Sequence, residues 1–258
     1  MHGPRVIPCL LLAGEQLVKT RRFAEPAYVG DPVNVLSIFN SFEVDEIVLL
    51  DIGAAGSGRP AAAEHLQRYA EECFIPLAYG GGLGDLESIE RTFSIGYEKV
   101  VLNSVLADDP DVVVKAAEVF GSQAVTASID VRGSGPGAWS VHTHGATRPT
   151  GVDPIAWARR AEDLGAGEIL VTAVDQEGTM DGFDLALAAA VAGAVSVPVI
   201  AHGGAARRKD LVGPIAAGAS AVAAGSLFVF QGTNRGVLVN YPSRPQLIRL
   251  LGLPTGTP

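Results

Sequence analysis

Residues 75–104 read IPLAYGGGLGDLESIERTFSIGYEKVVLNS, and residues 197–226 read VPVIAHGGAARRKDLVGPIAAGASAVAAGS. Each runs from a short apolar stretch through paired glycines into a helical pattern and on to a second apolar stretch. The match is positional. Pro76 pairs with Pro198, Gly81 with Gly203, Gly82 with Gly204, Gly96 with Gly218 and Ser104 with Ser226, all at the same offset of 122 positions. Upstream, Glu46-Ile47 matches Glu168-Ile169 at that offset. Self-similarity on this scale governs the whole fold reading.

The chemistry of the two copies is also shared. Paired glycines leave backbone N–H groups bare enough to approach an anion, and a helix starting close by adds its partial positive charge. The second apolar stretch ends in Asn103-Ser104 in one copy and Gly225-Ser226 in the other. Amide, hydroxyl and backbone donors of this kind suit a phosphate. Two such turns at matched positions point to a ligand with a phosphate at each end. A plainer reading also fits: glycines permit tight strand-to-helix turns and nothing more.

Composition narrows the classes. The 258 residues are 48% hydrophobic and 18% charged, so the chain is no disordered polymer. A net charge of −9 and the absence of basic runs argue against nucleic acid or an anionic membrane as the main partner. Cys9 and Cys73 form no disulfide framework and no CxxC metal motif, which makes a reduced, cytoplasmic setting the default. The opening MHGPRVIPCLLLAG reads as a strand rather than a secretory leader. Residues 185–201 are rich in Ala and Val but are interrupted by Gly193, Ser196 and Pro198. They read as a helix followed by a strand, since a membrane span needs about 20 apolar residues.

Eight short apolar runs alternate with helical patterns, which means a parallel sheet covered on both faces. Eight units in two equal halves close best as one (β/α)8 barrel spanning residues 1–258, with half-barrels at about 1–122 and 123–240 and a tail over 241–258. A doubly wound open sheet would give no reason for the halving. Two connections are long. Residues 13–30, with Lys19, Arg21, Arg22 and Phe23, read as a polar lid loop. Residues 132–148 read as a small hairpin on the ligand side.

At this point the residues resemble a known family. IPCL, VDEIVLLDI, YGGG, KVVLN, FGSQAV with SID, GAGEILVT, DGF, GGA and AGASAVAAGS are similar to the cyclase subunit of imidazole glycerol phosphate synthase, from Arg5 to about Phe230. The resemblance implies a barrel that holds a bis-phosphorylated small molecule and works with a glutaminase subunit supplying ammonia through the barrel. It places phosphate contacts at Gly82, Asn103 and Ser104 in the first half. In the second half they fall at Gly178, Gly204, Ala205, Gly225 and Ser226. A charged gate for ammonia falls on Arg5, Glu46, Lys99 and Glu168. A salt-bridge plug without a transport role is the alternative for those four. Asp130 and Lys19 match catalytic positions; Asp51, His144, Thr172, Glu177 and His202 are candidate substrate contacts. No cofactor and no metal is implied, because His142, His144 and His202 are too dispersed for a ligand signature.

One departure matters most. The cyclase uses two aspartates as acid and base, and Asp130 matches one, but Leu11 stands where the other belongs. His144 and His202 replace serines, and Glu177 replaces an aspartate. Together with IPCLLL, LVKT, YVGDP, IFN, THG, FVFQG and NYPS, these departures resemble the cyclase-like acetamidino-modification proteins of surface polysaccharide synthesis. That resemblance implies a glutaminase partner and a separate sugar amidotransferase, with an acetamido group becoming acetamidino.

Overall fold

The computed structural model describes residues 3–253 apart from 43, 55–58, 134 and 233. Met1 and His2 of the opening stretch, the centre of the glycine-rich loop expected over 53–60 and the end of the tail lie outside the described residues.

Twelve strands build the main sheet: β1 (Arg5–Ala13), β2 (Gln16–Arg21), β3 (Ala24–Gly30), β4 (Ile47–Asp51), β5 (Leu77–Gly80), β6 (Lys99–Leu102), β7 (Val125–Arg132), β8 (Ser140–Thr143), β9 (Arg148–Pro149), β10 (Glu168–Ala173), β11 (Val199–His202) and β12 (Ala221–Ala224). Eight of them pair in parallel in the closed order β1-β4-β5-β6-β7-β10-β11-β12 and back to β1, a (β/α)8 barrel. The repeat is kept in the hydrogen-bond register. Ile47 faces Leu77 as Ile169 faces Val199, and Ala78 faces Lys99 as Ile200 faces Ala221.

Alternation sorts the side chains of each strand. Ile7, Cys9, Val48, Ala78, Val101, Leu170, Ile200, Ala221 and Ala223 fill the barrel interior. Their neighbours Val6, Leu10, Leu49, Tyr79, Val100, Ile129 and Ile169 point outward into the layer under the helices. The helices start where short acceptors cap them: Asp31 accepts from Asn34 N (3.0 Å) and Asp85 from Ser88 N (2.7 Å). Residues 185–201 form helix Leu185–Ala192 and strand β11, and no helix among the described residues is long and apolar enough to cross a membrane.

One expectation needs correction. The lid loop over 13–30 is a β-hairpin: β2 pairs antiparallel with both β1 and β3. Leu17 and Val18 are buried in it, so the segment extends the barrel wall instead of hanging free. The tail over 241–258 contains helix Arg244–Leu251, and Tyr241 upstream donates its hydroxyl to the Val6 carbonyl (2.7 Å) while its ring packs on Phe228.

Gly80 tests the interior packing. A Cβ there would come within 2.8 Å of Val101 and 2.9 Å of Leu50. Gly80→Ala is expected to destabilise the barrel by about 1–3 kcal/mol, read as a lower denaturation midpoint; an unchanged midpoint would mean that the interior has slack at this level.

Candidate functional site

The floor of the barrel, at the strand N-termini, carries four charges. Arg5 pairs with both Glu46 and Glu168. Lys99 Nζ lies 3.1 Å from Glu46 Oε1 and 2.8 Å from Glu168 Oε2. Each cation therefore touches both carboxylates, and the ring closes on itself. Thr126 Oγ1, a residue the sequence reading did not pick out, donates to Glu168 (3.3 Å). Burial alone would raise the Glu168 pKa, but Lys99 and Arg5 override it and hold the carboxyl below its ordinary value. Burial opposes the charge of Arg5, and Glu168 and Glu46 override that in turn, raising its pKa. Such mutual pairing is what makes buried charges tolerable.

The opposite end is the mouth. In its second half a cavity is lined by Lys19, Glu177, Gly178, His202, Gly203, Gly204, Ala205, Ala224, Gly225 and Ser226. The turn Gly203-Gly204 is left-handed, with φ of 102° and 103°. A Cβ on Gly204 would meet the Gly182 carbonyl at 1.9 Å, and one on Gly178 the Thr20 carbonyl at 2.1 Å, so these glycines are also demanded by chain packing. Ser226 opens a one-turn helix, Ser226–Val229, and its buried hydroxyl has no hydrogen-bond partner among the described residues. Backbone donors, a free hydroxyl and a cation are a donor set suited to an anion.

Lys19 comes from the hairpin, not from a barrel strand. It is buried against Glu177. Glu177 also accepts from Thr20 Oγ1 (3.0 Å) and Phe23 N (3.1 Å), while the Arg22 N–H donates to its carbonyl (2.8 Å). This one carboxylate thus holds the hairpin down across the mouth. Burial pulls the Lys19 ammonium below its ordinary pKa. His202, beside it, is pushed down to about 3 by burial and by the Lys19 charge, so its ring is neutral near pH 7. His202 Nδ1 lies 3.1 Å from Thr172 Oγ1.

The first-half residues are engaged differently. Asn103 Nδ2 donates to Asp130 Oδ2 (3.0 Å) and to the Ser128 carbonyl (3.2 Å). Ser104 Oγ accepts from the His144 backbone N–H (3.0 Å). Gly82 packs beneath the Arg59-Pro60 backbone, where a Cβ would come within 2.2 Å. Asp130 is buried, and burial pushes its carboxyl up to about 7 against the opposing effects of Asn103 and Arg132. His142 sits across from Asp130 in the β7–β8 register, so both side chains share one face. Its Nδ1 is buried with no hydrogen-bond partner among the described residues, a feature the sequence reading passed over. Leu11, 6% exposed, continues the inward row of Arg5, Ile7 and Cys9 and places an alkyl group at the mouth.

Asp51 stands apart from the cavity of Lys19 and Ser226. Its Oδ1 accepts from Gly53 N (2.9 Å) and Ala54 N (3.1 Å), and it lines a separate pocket with Glu15 and His65. Among the described residues no three His, Cys, Asp or Glu side chains are grouped to hold a metal.

A single (β/α)8 barrel of two in-register halves, with glycine turns and a buried serine at the mouth and a paired charge ring at the floor, places the chain in the barrel class whose characterised enzymes bind ligands at the strand C-termini. Residues 5–234 match the family described as histidine biosynthesis protein, and the chain belongs to it. A relative from Pseudomonas aeruginosa, provisionally named imidazole glycerol phosphate synthase subunit hisF2, is 47% identical over 239 residues, covering 92% of this chain and 95% of the relative.

Two outcomes follow from this geometry. Glu177→Ala strands the buried Lys19 charge and frees the hairpin. It is expected to cost about 3–5 kcal/mol and to speed tryptic cleavage at Arg21 and Arg22; cleavage at the wild-type rate would show that something else holds the hairpin. Asp130 has a folded pKa raised to about 7 from about 3.9 unfolded. Its carboxyl therefore favours the fold below the unfolded pKa, and that contribution is lost as pH rises through 7. Asp130→Asn should accordingly gain stability over wild type by up to about 4 kcal/mol between pH 4 and 8 in chemical denaturation; a pH-independent difference would refute the raised pKa.

Proposed function

We propose that this chain is the ammonia-accepting barrel of a glutamine-dependent amidation system, in which the cyclase chemistry of its family has lapsed. The group amidated is the acetamido group of a sugar destined for surface polysaccharide. The observation that carries the reading is Leu11 at the mouth combined with an intact charge ring at the floor. A leucine can neither give nor take a proton, whereas acid–base cyclisation requires a group for each proton. The ring lies at the end of the barrel where ammonia from a docked glutaminase would enter.

On this reading ammonia would travel along the barrel axis from floor to mouth. Above the ring its path would lie among Ile7, Val48, Val101, Leu170 and Ile200, which are apolar. Neutral ammonia would pass between such side chains at lower cost than ammonium, which would lose its hydration. A glutaminase delivering ammonia would dock on the floor. That face offers Phe74, 85% exposed, and Phe42, 37% exposed, each just ahead of a barrel strand. Asn40 links the two segments, accepting from Phe74 N (3.1 Å). At the mouth, Lys19, Gly204, Ala205, Gly225 and Ser226 form the cradle for a phosphorylated ligand, and a sugar amidotransferase would receive the ammonia there.

The second reading is an imidazole glycerol phosphate synthase cyclase subunit. The retained Lys19 and Asp130, the family and the printed name of the relative favour it. Ammonia-dependent conversion of the bis-phosphorylated histidine-pathway intermediate by the purified chain separates the two. No turnover above background is expected, and Leu11→Asp should raise any residual rate by about 10²–10⁴. Wild-type turnover of about 1 s⁻¹ or more would make the chain a cyclase and end the first reading.

A further inference from the structure

The donors at Ser226 suit an anion but bring no net charge. Ser226 is 5% exposed, and its hydroxyl is unpartnered among the described residues, beside Gly204, Ala205 and Gly225. The one cation of the lining, Lys19, is already engaged. It is paired with the buried carboxylate of Glu177, and its Nζ also donates to the Thr20 carbonyl (3.2 Å). His202, the remaining titratable group of the lining, is neutral near pH 7. The lining therefore has no surplus positive charge, and a phosphate taken out of water there would lack compensation.

Arg235 stands where it can supply that charge. A short hairpin follows directly from Ser226–Val229, the one-turn helix that Ser226 opens: β13 (Phe230–Gln231) pairs antiparallel with β14 (Gly236–Val237). The return limb is tied to the same helix, with Leu238 N donating to the Val229 carbonyl and Asn240 N to the Phe228 carbonyl (2.9 Å each). Arg235, at the hairpin tip, donates from Nη2 to the Thr179 carbonyl (3.2 Å). Thr179 follows Gly178, which lines the cavity, so the guanidinium lies at the cavity's outer rim. Its charge is felt at Lys19, whose pKa burial lowers to about 8 with Arg235 adding to the fall.

Two features mark the placement as more than a turn. Arg235 has φ 51°, a left-handed conformation that glycine or asparagine adopts at low cost in a hairpin and that a long side chain does not. The guanidinium is also partly buried and makes no ion pair among the described residues. It carries five N–H donors, of which the Thr179 carbonyl takes one. A cation kept near a second cation and given no carboxylate is poised for an anion from outside the chain. Arg235 lies just past the stretch 5–234 that matches the family, and the sequence reading did not single it out.

We propose that Arg235 is an anion-binding residue of the mouth, reaching the Ser226 cavity from its rim and supplying the uncompensated positive charge that a phosphate monoester needs there. This rests on the cradle reading of the mouth and adds a residue to it. The planar fork of the guanidinium can meet two phosphate oxygens at once, while the Ser226 hydroxyl meets the phosphate from inside.

The test is calorimetric titration with inorganic phosphate, at fixed ionic strength, of the wild-type chain, Arg235→Gln and Arg235→Lys. Glutamine keeps a donor for the Thr179 carbonyl and removes the charge; lysine keeps the charge and loses the fork. Affinity is expected to fall about tenfold or more in Arg235→Gln and to be recovered in part by Arg235→Lys, with both denaturation midpoints at the wild-type value. Wild-type affinity in Arg235→Gln, or equal losses in the two variants, would overturn the inference and leave the cradle standing. So would a loss accompanied by a lowered midpoint in Arg235→Gln, the mark of a structural role. Binding of no phosphate by folded wild-type protein would remove the cradle reading and this inference with it.

Discussion

Closing eight parallel strands into a barrel forces alternate residues of every strand into one narrow space, and the protein is organised by how that space is filled at each level. At the floor the inward residues are Arg5, Glu46, Lys99 and Glu168, and they are tolerable only as a closed ring in which each charge meets two of opposite sign. The next levels are apolar, from Ile7 and Val48 up to Cys9 and Ala223. Ser128 interrupts them beside Leu170, and polarity gathers at the mouth with Asp130, Thr172 and His202, where neighbouring side chains or a ligand can satisfy it. Charge, hydrocarbon and polar chemistry are thus separated along one axis by the strand period alone.

The duplicated halves share their backbone and diverge in their side chains. The register of β4 on β5 repeats in β10 on β11, because ladder hydrogen bonds and glycine turns leave little freedom. Side chains at the mouth are under no such constraint. Leu50 and Gly80 answer Thr172 and His202, and Asn103 answers Gly225. Each half sends a hairpin residue to the other half's end of the mouth, Lys19 beside Ser226 and His144 beside Ser104, so the asymmetry of the mouth is made by exchanged elements. Glu177 fastens one hairpin through Lys19, Thr20 and Phe23, and Asp108 with Arg148 fastens the turn at His144.

Much of this was legible in the residues. The half-chain repeat and eight apolar runs require a closed parallel sheet, and the charges at the start of four strands had to share one face. The hairpin at 16–30 was misread because length and polarity spoke for a loop, although Leu17, Val18, Lys19 and Thr20 are all buried in it. Its pairing partner, β1, already has a barrel neighbour on each side, so nothing local announces the extra strands. Asp51 was legible as a carboxylate at a strand end that orients its neighbours, and it accepts from Gly53 and Ala54 in the turn that follows. His142 went unassigned because its distinction, a buried Nδ1 facing the same way as Asp130, exists only once β8 is laid against β7.

The sequence by itself determined the barrel, its two halves and the charged positions of the floor ring, because each depends on strand period and on which residues open the strands. Only the tertiary structure decided how the two matched serines are engaged. Ser104 and Ser226 are indistinguishable in sequence, and their difference arises from His144, some forty residues from Ser104 along the chain, whose N–H reaches it only after the hairpin folds across the mouth. Hydrogen bonds between residues far apart in the chain are set by packing, and no local pattern encodes which hydroxyl they will leave free.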